Sequence, residues 1–319
     1  MQLGRGAENW GTGDDIIILL SNQSAPYDYL KVTSDYGRLR VAYLHGVLEN
    51  YPNSYNRYFT AKGIEWTNKK TFLLSFSEAI IYSGKNRNIE FGYINPIGEH
   101  LEVEWNNRLT VTGEASANAA WQTSFDMLLK RKIRLSGNLI FDEFVFDKDI
   151  QKGKQHATAF SFRIAYSIIL SNQRLITLKT SLLKVGTPTF RHFNGTNNFV
   201  NNNIPLGWQE GSDGYQFSLG FNYIENNKII INLINKFIVL GEFSLHKTPY
   251  EPYTSGSYLK SNFPSGVIKQ KQISYVKVIW KSHSLFSISS SLGLSCISKK
   301  SMQLFFGFGL NSNINLKKF

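Results

Sequence analysis

The stretch YQFSLGFNY, residues 215–223, places an apolar or aromatic residue at every second position and a polar or small residue between them. An alternation with a period of two is typical of a β-strand that has one apolar and one polar face. The pattern recurs along the chain, and the sequence therefore predicts an all-β protein. Its clearest repeats are residues 121–127, 133–139, 160–164, 176–182 and 302–310.

Two architectures produce this alternation: a water-soluble β-sandwich or barrel, or a transmembrane barrel with its polar face inward. The alternating segments run for roughly 9 to 13 residues, the length of a tilted strand that crosses a bilayer. Residues 225–228 and 281–284 read as tight turns, whereas 186–214 and 246–270 read as long loops. Short turns at one side and long loops at the other favour an antiparallel transmembrane β-barrel, with roughly 14 strands in this chain.

Composition sets wider bounds on the chain. It has 319 residues and a net charge of +12, which makes nucleic acid, acidic polysaccharide and anionic lipid plausible partners. The densest basic run, residues 130–134, reads as a solvated turn between two strands, with a binding patch as the alternative. The lone cysteine, Cys296, excludes an internal disulfide bond and a cysteine-based zinc site. We expect one domain over residues 1–319, with helix restricted to a short piece or plug near 88–101.

Catalytic and cofactor motifs are weak. The glycines of residues 4–15 lack the spacing of a dinucleotide fingerprint, so this stretch reads as a rim or hairpin, or alternatively as a segment that points Arg5 into a lumen. The six histidines are widely spaced, and the sequence lacks a nucleophile elbow of the Gly-x-Ser-x-Gly type. We therefore predict a non-enzymatic protein without a cofactor or metal, and an outer-membrane lipase stays an alternative.

Candidate binding residues lie in the long loops. Arg191, His192 and Trp208 fall in 186–214, and Tyr250 and Tyr253 fall in 246–270. Aromatic rings stack on sugar rings, and arginine binds carboxylates through two parallel hydrogen bonds. Acidic residues gather after the strand at 133–141, where a solvated strand end is the simpler interpretation and a calcium site the alternative; they are Asp142, Glu143, Asp147 and Asp149.

Four segments, taken in order, resemble the capsule assembly Wzi family of outer-membrane barrels. They are GRGAENWGTGDDIIILLSNQSAPYDYL (4–30), FSEAIIYSGKNRNIEFGYINPI (76–97), LIFDEF (139–144) and IPLGWQEGSDGYQFSLGF (204–221). The resemblance implies a monomeric outer-membrane protein that binds or anchors capsular or exopolysaccharide and assists capsule assembly. Family members begin further upstream, so we expect this chain to lack the N-terminal part of the barrel.

The expected sites follow from that resemblance and from the cost of charge in lipid. A carboxylate in hydrocarbon is expensive, so Glu78 is expected to face the lumen. The residues expected in the lumen or plug are Glu78, Tyr82, Tyr93, Asn95, Asp142, Glu143 and Asp213. Those expected to bind polysaccharide are Arg5, Arg191, His192, Trp208, Tyr250 and Tyr253. The expected partners are an acidic cell-surface polysaccharide and outer-membrane lipid, with no nucleic acid; the rival function is a porin for anionic solutes.

Overall fold

A computed structural model describes residues 1–50, 55–95, 117–143, 155–171, 173–252, 262–283, 286–298 and 301–312. The strands are β1 (Gln2–Gly6), β2 (Tyr27–Tyr36), β3 (Leu39–Val47), β4 (Tyr55–Thr67), β5 (Phe72–Lys85), β6 (Ala117–Leu129), β7 (Ile133–Glu143), β8 (Ala157–Ser171), β9 (Arg174–Val185), β10 (Val200–Asn201), β11 (Ile204–Pro205), β12 (Gly214–Glu225), β13 (Ile229–Leu240), β14 (Lys269–His283), β15 (Phe286–Ile297) and β16 (Ser301–Ser312). One helix of four residues, α1 (Phe91–Ile94), follows β5, and a 3-10 turn spans Gly195–Asn197.

Fourteen strands form one antiparallel sheet in which each strand pairs with its neighbours along the chain, and β10 and β11 form a separate small hairpin between β9 and β12. Apart from β1, the strands of the large sheet have 9 to 15 residues, which is enough to cross a bilayer. The predicted all-β antiparallel barrel fold and its roughly 14 strands are confirmed. Among the described residues no helix is long and apolar enough to cross a membrane.

The two ends of the sheet differ in their connections. At one end the hairpins are tight: residues 37–38 join β2 to β3, 68–71 join β4 to β5, and 130–132 join β6 to β7. At the other end the connections are long, including 7–26 between β1 and β2 and 186–213 between β9 and β12. We call these the tight-turn end and the loop end.

The two faces of the sheet also differ, and the alternation along β8 shows how. Phe160, Phe162 and Ile164 are 37 to 39% exposed on one face, whereas Ser161 and Arg163 on the other face are buried. Exposed apolar side chains recur on the same outward face of neighbouring strands, for example at Ile64, Trp66, Leu74, Phe76, Leu139, Leu178, Leu182, Phe217 and Leu233. An apolar belt outside and polar groups inside are the pattern of a barrel in lipid.

Candidate functional site

The interior is occupied first by residues 7–26, which we call the inner segment. Residues Ile16 to Leu20 in it are at most 7% exposed. The segment is held by the inward face of β7, where the Asn138 side chain accepts a hydrogen bond from Thr12 N (2.8 Å) and donates to the carbonyls of Thr12 (2.9 Å) and Ile16 (3.1 Å). One amide side chain therefore satisfies three backbone groups of this segment.

Neighbouring side chains extend this support. Ser161 Oγ donates to the Ile16 carbonyl (2.7 Å), and Arg163 Nη1 lies 2.8 Å from Asp15 Oδ1. Small residues on the inward faces of the strands make room for the segment, which packs in a common apolar cluster with them; these are Ala61, Ala79, Ala120 and Ala159. The inner segment is thus bonded to the wall by hydrogen bonds, an ion pair and apolar contact.

The second occupant is residues 186–213, the inner loop, which packs against the inner segment. Ser21 N donates to the Leu206 carbonyl (2.7 Å), and Trp208 N donates to the Ile18 carbonyl (3.2 Å). A Cβ at Gly207 would clash with the Ile18 carbonyl oxygen, so only glycine permits this approach. The inner segment and inner loop together form one structure inside the barrel, which we call the plug.

Arg57 joins the plug to the wall. It lies on the inward face of β4, is 0% exposed, and donates from Nη2 to the carbonyls of Asn198 (3.0 Å) and Val200 (3.1 Å) and from Nε to Thr196. Its Nη1 lies 2.8 Å from Glu49 Oε1, and its guanidinium carbon lies 5.3 Å from the centre of the Tyr250 ring. A planar fork with five donors suits this convergence of carbonyls, which a lysine cannot reproduce.

Two further residues brace the inner loop against residues 241–252. Arg191 donates to Thr248 Oγ1 (2.6 Å) and to the Phe243 carbonyl. Asp213, 0% exposed, accepts from Thr187 Oγ1 (2.8 Å), from Ser265 N (2.9 Å) and from Phe243 N (3.1 Å). Hydrogen bonds thus join the inner loop to residues 241–252 and Ser265 at the loop end, and we call these residues together the cap.

These contacts correct three of the binding residues expected from sequence. Arg191 is 5% exposed and bonded to loop carbonyls, so it faces the protein interior instead of a ligand. Trp208 is 6% exposed, and its indole Nε1 donates to Gln216 Oε1 at 3.3 Å. Arg5 lies on the outward face of β1, beside the exposed Leu3, and pairs with Asp28 at 3.1 Å, so it does not point into the lumen.

The other expected binding residues are half-buried in the cap or lie outside the described residues. His192 is half-buried and its ring centre lies 4.1 Å from that of Phe193, which is 66% exposed. Tyr250 is half-buried; its hydroxyl donates to Glu49 Oε1 and accepts from Asn203 N. Tyr253 lies outside the described residues, as do Asp147 and Asp149. Among the described residues, His192, Phe193 and Tyr250 are thus aromatic groups of the cap that are not fully buried.

Glu78 occupies the opposite side of the wall from the expected one. On β5 it shares a face with Leu74 and Phe76, which are 44% and 51% exposed, so it points outward. It is 4% exposed and forms an ion pair with Lys62 Nζ of β4 at 2.9 Å. Burial and ion pairing, not a wet lumen, make this carboxylate tolerable there.

Tyr82 and Tyr93 lie on the same outward side. The Tyr82 ring stacks on Tyr58 (ring centres 5.2 Å apart) and on Tyr93 of α1 (4.5 Å). The helix thus folds back over the outside of β3–β6 at the loop end, and the expectation that this segment plugs the barrel is wrong for the described residues 88–95. Asn95 follows α1 and is exposed, and residues 96–101 lie outside the description. We call Tyr43, His45, Tyr58, Lys62, Glu78, Tyr82 and Tyr93 the outer patch.

The paired acids of β7 have different positions. Asp142 Oδ2 accepts a hydrogen bond from Phe190 N at 2.5 Å, so it anchors the start of the inner loop. Glu143 is half-buried at the end of β7. In the part of the chain that the structure describes, no group of three or more potential ligands is arranged to hold a metal ion.

Beyond the plug, toward the tight-turn end, the interior is polar. Two cavities of about 510 and 530 Å³ lie there, and Gly11 and Thr12 of the inner segment line both. Charged side chains line both cavities: Lys31, Asp35, Arg40, Glu65, Lys69, Lys70, Asp126 and Arg134. The interior therefore holds polar cavities on one side of the plug and packed residues on the other.

A sheet of 14 antiparallel strands, apolar outside and holding a plug inside, defines an outer-membrane-type β-barrel. Among solved structures the chain is similar to Wzi of Escherichia coli, an outer membrane protein described as involved in group 1 capsule assembly and as a carbohydrate-binding β-barrel. The TM-score is 0.69 at 10% identity, and the likeness covers 96% of this chain and 66% of that one. The chain therefore spans 66% of the length of that protein.

Two other solved structures are similar over nearly the whole chain, but too weakly to support an argument. A bacterial polysaccharide outer membrane secretin has a TM-score of 0.45 at 8% identity, covering 98% of this chain and 84% of that one. The outer membrane channel DcaP of Acinetobacter baumannii has a TM-score of 0.39 at 7% identity, covering 96% of this chain and 92% of that one. The sequence matches no family model and no curated protein. The fold is thus that of outer-membrane β-barrels.

Proposed function

We propose that this chain is a non-enzymatic outer-membrane protein of the Wzi type, which binds cell-surface polysaccharide at its loop end. The observation that carries the proposal is the plug. The sequence segments that resemble the Wzi family, 4–30 and 204–221, are the ones that build it: they supply the inner segment and the end of the inner loop, which meet at Ile18 and Trp208. A solved barrel of similar fold is described as carbohydrate-binding.

The plug favours a binding protein over a porin. The inner segment and inner loop pack in one apolar cluster with the wall, including Leu20, Phe199 and Leu206, all at most 2% exposed. Such packing leaves little space for water or solute to pass. A porin for anionic solutes, the rival function, requires an aqueous lumen along its whole length.

The binding face that we propose is the aromatic edge of the cap. His192 and Phe193 form a ring pair, and the His192 amide donates to Asn198 Oδ1 at 2.8 Å. Asn198 Nδ2 in turn donates to the carbonyls of Pro249 and Glu251, on either side of Tyr250. One asparagine thus fixes both aromatic groups, and fixed rings lose little entropy when a sugar stacks on them.

Recognition at this face rests on stacking and hydrogen bonds more than on net charge, because Arg191 is committed to loop carbonyls. An acidic polysaccharide remains the proposed partner because the chain is basic overall, with a net charge of +12. Binding of acidic and of neutral polysaccharides by the purified protein, measured side by side, separates recognition by charge from recognition by stacking and hydrogen bonds.

The test is retention of polysaccharide by the source bacterium carrying Phe193→Ala together with His192→Ala. We expect more polysaccharide in the medium and less on the cells, with total synthesis unchanged. Ile204→Ala, which shortens another exposed apolar side chain of the same inner loop, is the matched control and should retain the coat. Equal retention by both variants would contradict the proposed face.

Planar-bilayer recording of the purified protein tests the rival function. A plugged binding protein should show little open-channel current. A large, steady conductance in the unaltered protein would overturn the proposal and favour the porin. A lipid hydrolysis assay addresses the outer-membrane lipase in the same preparation.

A further inference from the structure

The tight-turn end carries a concentration of exposed positive charge. The tips of three neighbouring hairpins, β2–β3, β4–β5 and β6–β7, hold six basic residues, all exposed: Arg38, Lys69, Lys70, Lys130, Arg131 and Lys132. We call these six residues the collar. The collar includes most of the basic run 130–134, which the sequence reads as a solvated turn or, alternatively, as a binding patch. Its Lys69 and Lys70 also line the interior cavity at the tight-turn end.

The collar charges are not neutralised within the described structure. Of the basic residues close behind them, Arg40 pairs with Asp35 (2.7 Å) and Arg134 pairs with Asp126 (2.8 Å). In the described part of the chain, by contrast, the six collar side chains form no salt bridge. Asp35 and Asp126 are thus paired with residues behind the tips and not with the collar.

Backbone conformation gives an independent indication that the charge has a role. Lys130 and Arg131 have φ values of +46° and +57°, and Lys69 has +61°. The β12–β13 hairpin places Asn226 and Asn227 at +51° and +54°, in the same left-handed region. Asparagine adopts that region more readily than lysine or arginine. The β6–β7 turn therefore bears basic residues where an uncharged, better suited residue serves the same turn elsewhere in this barrel.

The collar lies immediately beyond an aromatic girdle. Tyr36 and Trp66, 66% and 41% exposed, are on the outward face next to the tips, and the Trp66 and Phe72 rings lie 6.1 Å apart across the β4–β5 hairpin. Such girdles mark the level of the lipid headgroups in membrane barrels. The six cations are thus at or just beyond the headgroup level of the leaflet at the tight-turn end.

We propose that the collar binds the anionic phosphate headgroups of phospholipids in that leaflet. Lysine and arginine near an anionic membrane surface are attracted within about one Debye length, roughly 8 to 10 Å at ordinary salt. Six unpaired cations on adjacent tips place several such charges within reach of one lipid patch. The collar thereby fixes the vertical position of one side of the barrel, independently of any polysaccharide at the loop end.

The experiment uses the refolded protein in phosphatidylcholine vesicles with and without phosphatidylglycerol, and measures the midpoint of denaturant unfolding. For the unaltered protein we expect phosphatidylglycerol to raise the midpoint at low salt and the rise to vanish at high salt. The variant Lys69→Gln/Lys70→Gln/Lys132→Gln should lose at least half of that rise. The matched control, Lys85→Gln/Lys247→Gln/Lys269→Gln, removes three exposed lysines at the loop end and should keep it.

A second variant protects the test against a folding defect. Lys130→Asn/Arg131→Asn relieves the left-handed strain while it removes two charges, so it should be at least as stable in phosphatidylcholine and yet gain less from phosphatidylglycerol. A variant that is no less stable in phosphatidylcholine but gains less from phosphatidylglycerol has lost lipid binding and not structural stability. The proposal is overturned if the collar variants keep the full rise, or if the control loses as much as they do. Binding of dextran sulfate, a soluble acidic polymer, is measured for the same variants. The proposal is also overturned if the collar variants lose this binding but keep the rise in midpoint, because the partner would then be an acidic polymer.

Discussion

Strand β4 carries two ion-paired cations on its opposite faces, the buried Arg57 and the half-buried Lys62, and they have different roles in this barrel. Arg57 points inward, is covered by the inner loop and pairs with Glu49 at 2.8 Å. Lys62 points outward, lies within the outer patch and pairs with Glu78 at 2.9 Å. The two ion pairs have nearly the same length, so ion-pair geometry does not distinguish an interior site from an exterior one.

The difference lies in what each cation holds together. Arg57 bonds carbonyls of a loop that is far away in sequence, at Thr196, Asn198 and Val200. Lys62 bonds a carboxylate directly opposite it on the adjacent strand, where the sheet already fixes the backbone. The inward cation therefore fastens the plug to the wall, while the outward pair mainly neutralises two charges on one face.

Removing Arg57 should have the largest effect. Arg57→Met leaves Glu49 and three loop carbonyls without their donor, and we expect a loss of about 3–5 kcal/mol in the free energy of unfolding. Lys62→Met is the matched control on the same strand, with an expected loss of about 1–3 kcal/mol for the carboxylate left behind. Denaturant unfolding measures both. Arg57→Lys should recover only part of the lost free energy of unfolding, since an ammonium group cannot reproduce the planar, forked donors of a guanidinium group.

A second consequence separates the two faces without relying on stability. If Arg57 fastens the plug, Arg57→Met should also increase proteolysis of residues 186–213 and raise single-channel current in planar bilayers. Lys62→Met should do neither, because its partner is on the outer wall. Equal currents from both variants would show that the plug does not depend on the inward cation.

Asn138 tests the inner segment in the same way. Asn138→Ala removes hydrogen bonds to Thr12, Ile16 and Ser161 and leaves a buried amide of Thr12 without its acceptor. We expect a loss of about 2–3 kcal/mol, measured by denaturant unfolding, and faster cleavage within residues 7–26. Leu139→Ala, next to it on the outward face, should cost less and leave cleavage unchanged, because Leu139 is 42% exposed toward lipid.

The sequence alone was sufficient for the fold. Strict alternation, strand length and unequal connections predicted an antiparallel transmembrane barrel of about 14 strands, because each of these depends on local geometry. The same alternation contained the correct face of Glu78: Phe76, Glu78, Ile80 and Tyr82 are two residues apart and must share a side of the sheet. The expectation failed because it weighed the cost of a charge in lipid and did not allow for burial beside an ion-pair partner on the outward face.

The plug and its contacts were beyond sequence reasoning for another reason. Arg57 and Asn138 are single polar residues within alternating strands, with nothing local to mark them as partners of residues 139 and 126 positions away. Arg191 and Trp208 are residue types that often bind ligands. Here the same side chains form hydrogen bonds and packing contacts within the protein. Long-range partners of loops depend on tertiary structure, and neither composition nor period encodes them.

The outer ion pair gives a smaller effect with a more specific signature. Glu78→Gln keeps the shape of the side chain but removes the negative charge that pairs with Lys62, and we expect a loss of about 1–2 kcal/mol by denaturant unfolding. The double variant Lys62→Met/Glu78→Leu replaces both charges by apolar groups and should be near the stability of the unaltered protein. A double variant as unstable as the sum of its single changes would show that the charges have a role beyond neutralising each other.

The smallest predicted effect is the pH dependence of the inner pair. Glu49 follows β3 at the loop end, and burial raises the pKa of its carboxyl because desolvation outweighs the attraction of Arg57. An acid whose pKa is higher in the folded state binds more protons folded than unfolded between the two values. The free energy of unfolding should therefore fall as pH rises through that window, starting near the ordinary pKa of about 4.3. Glu49→Gln should remove this slope in denaturant titrations at several pH values, whereas Glu78→Gln should leave it in place; a slope that survives Glu49→Gln would assign it to another group.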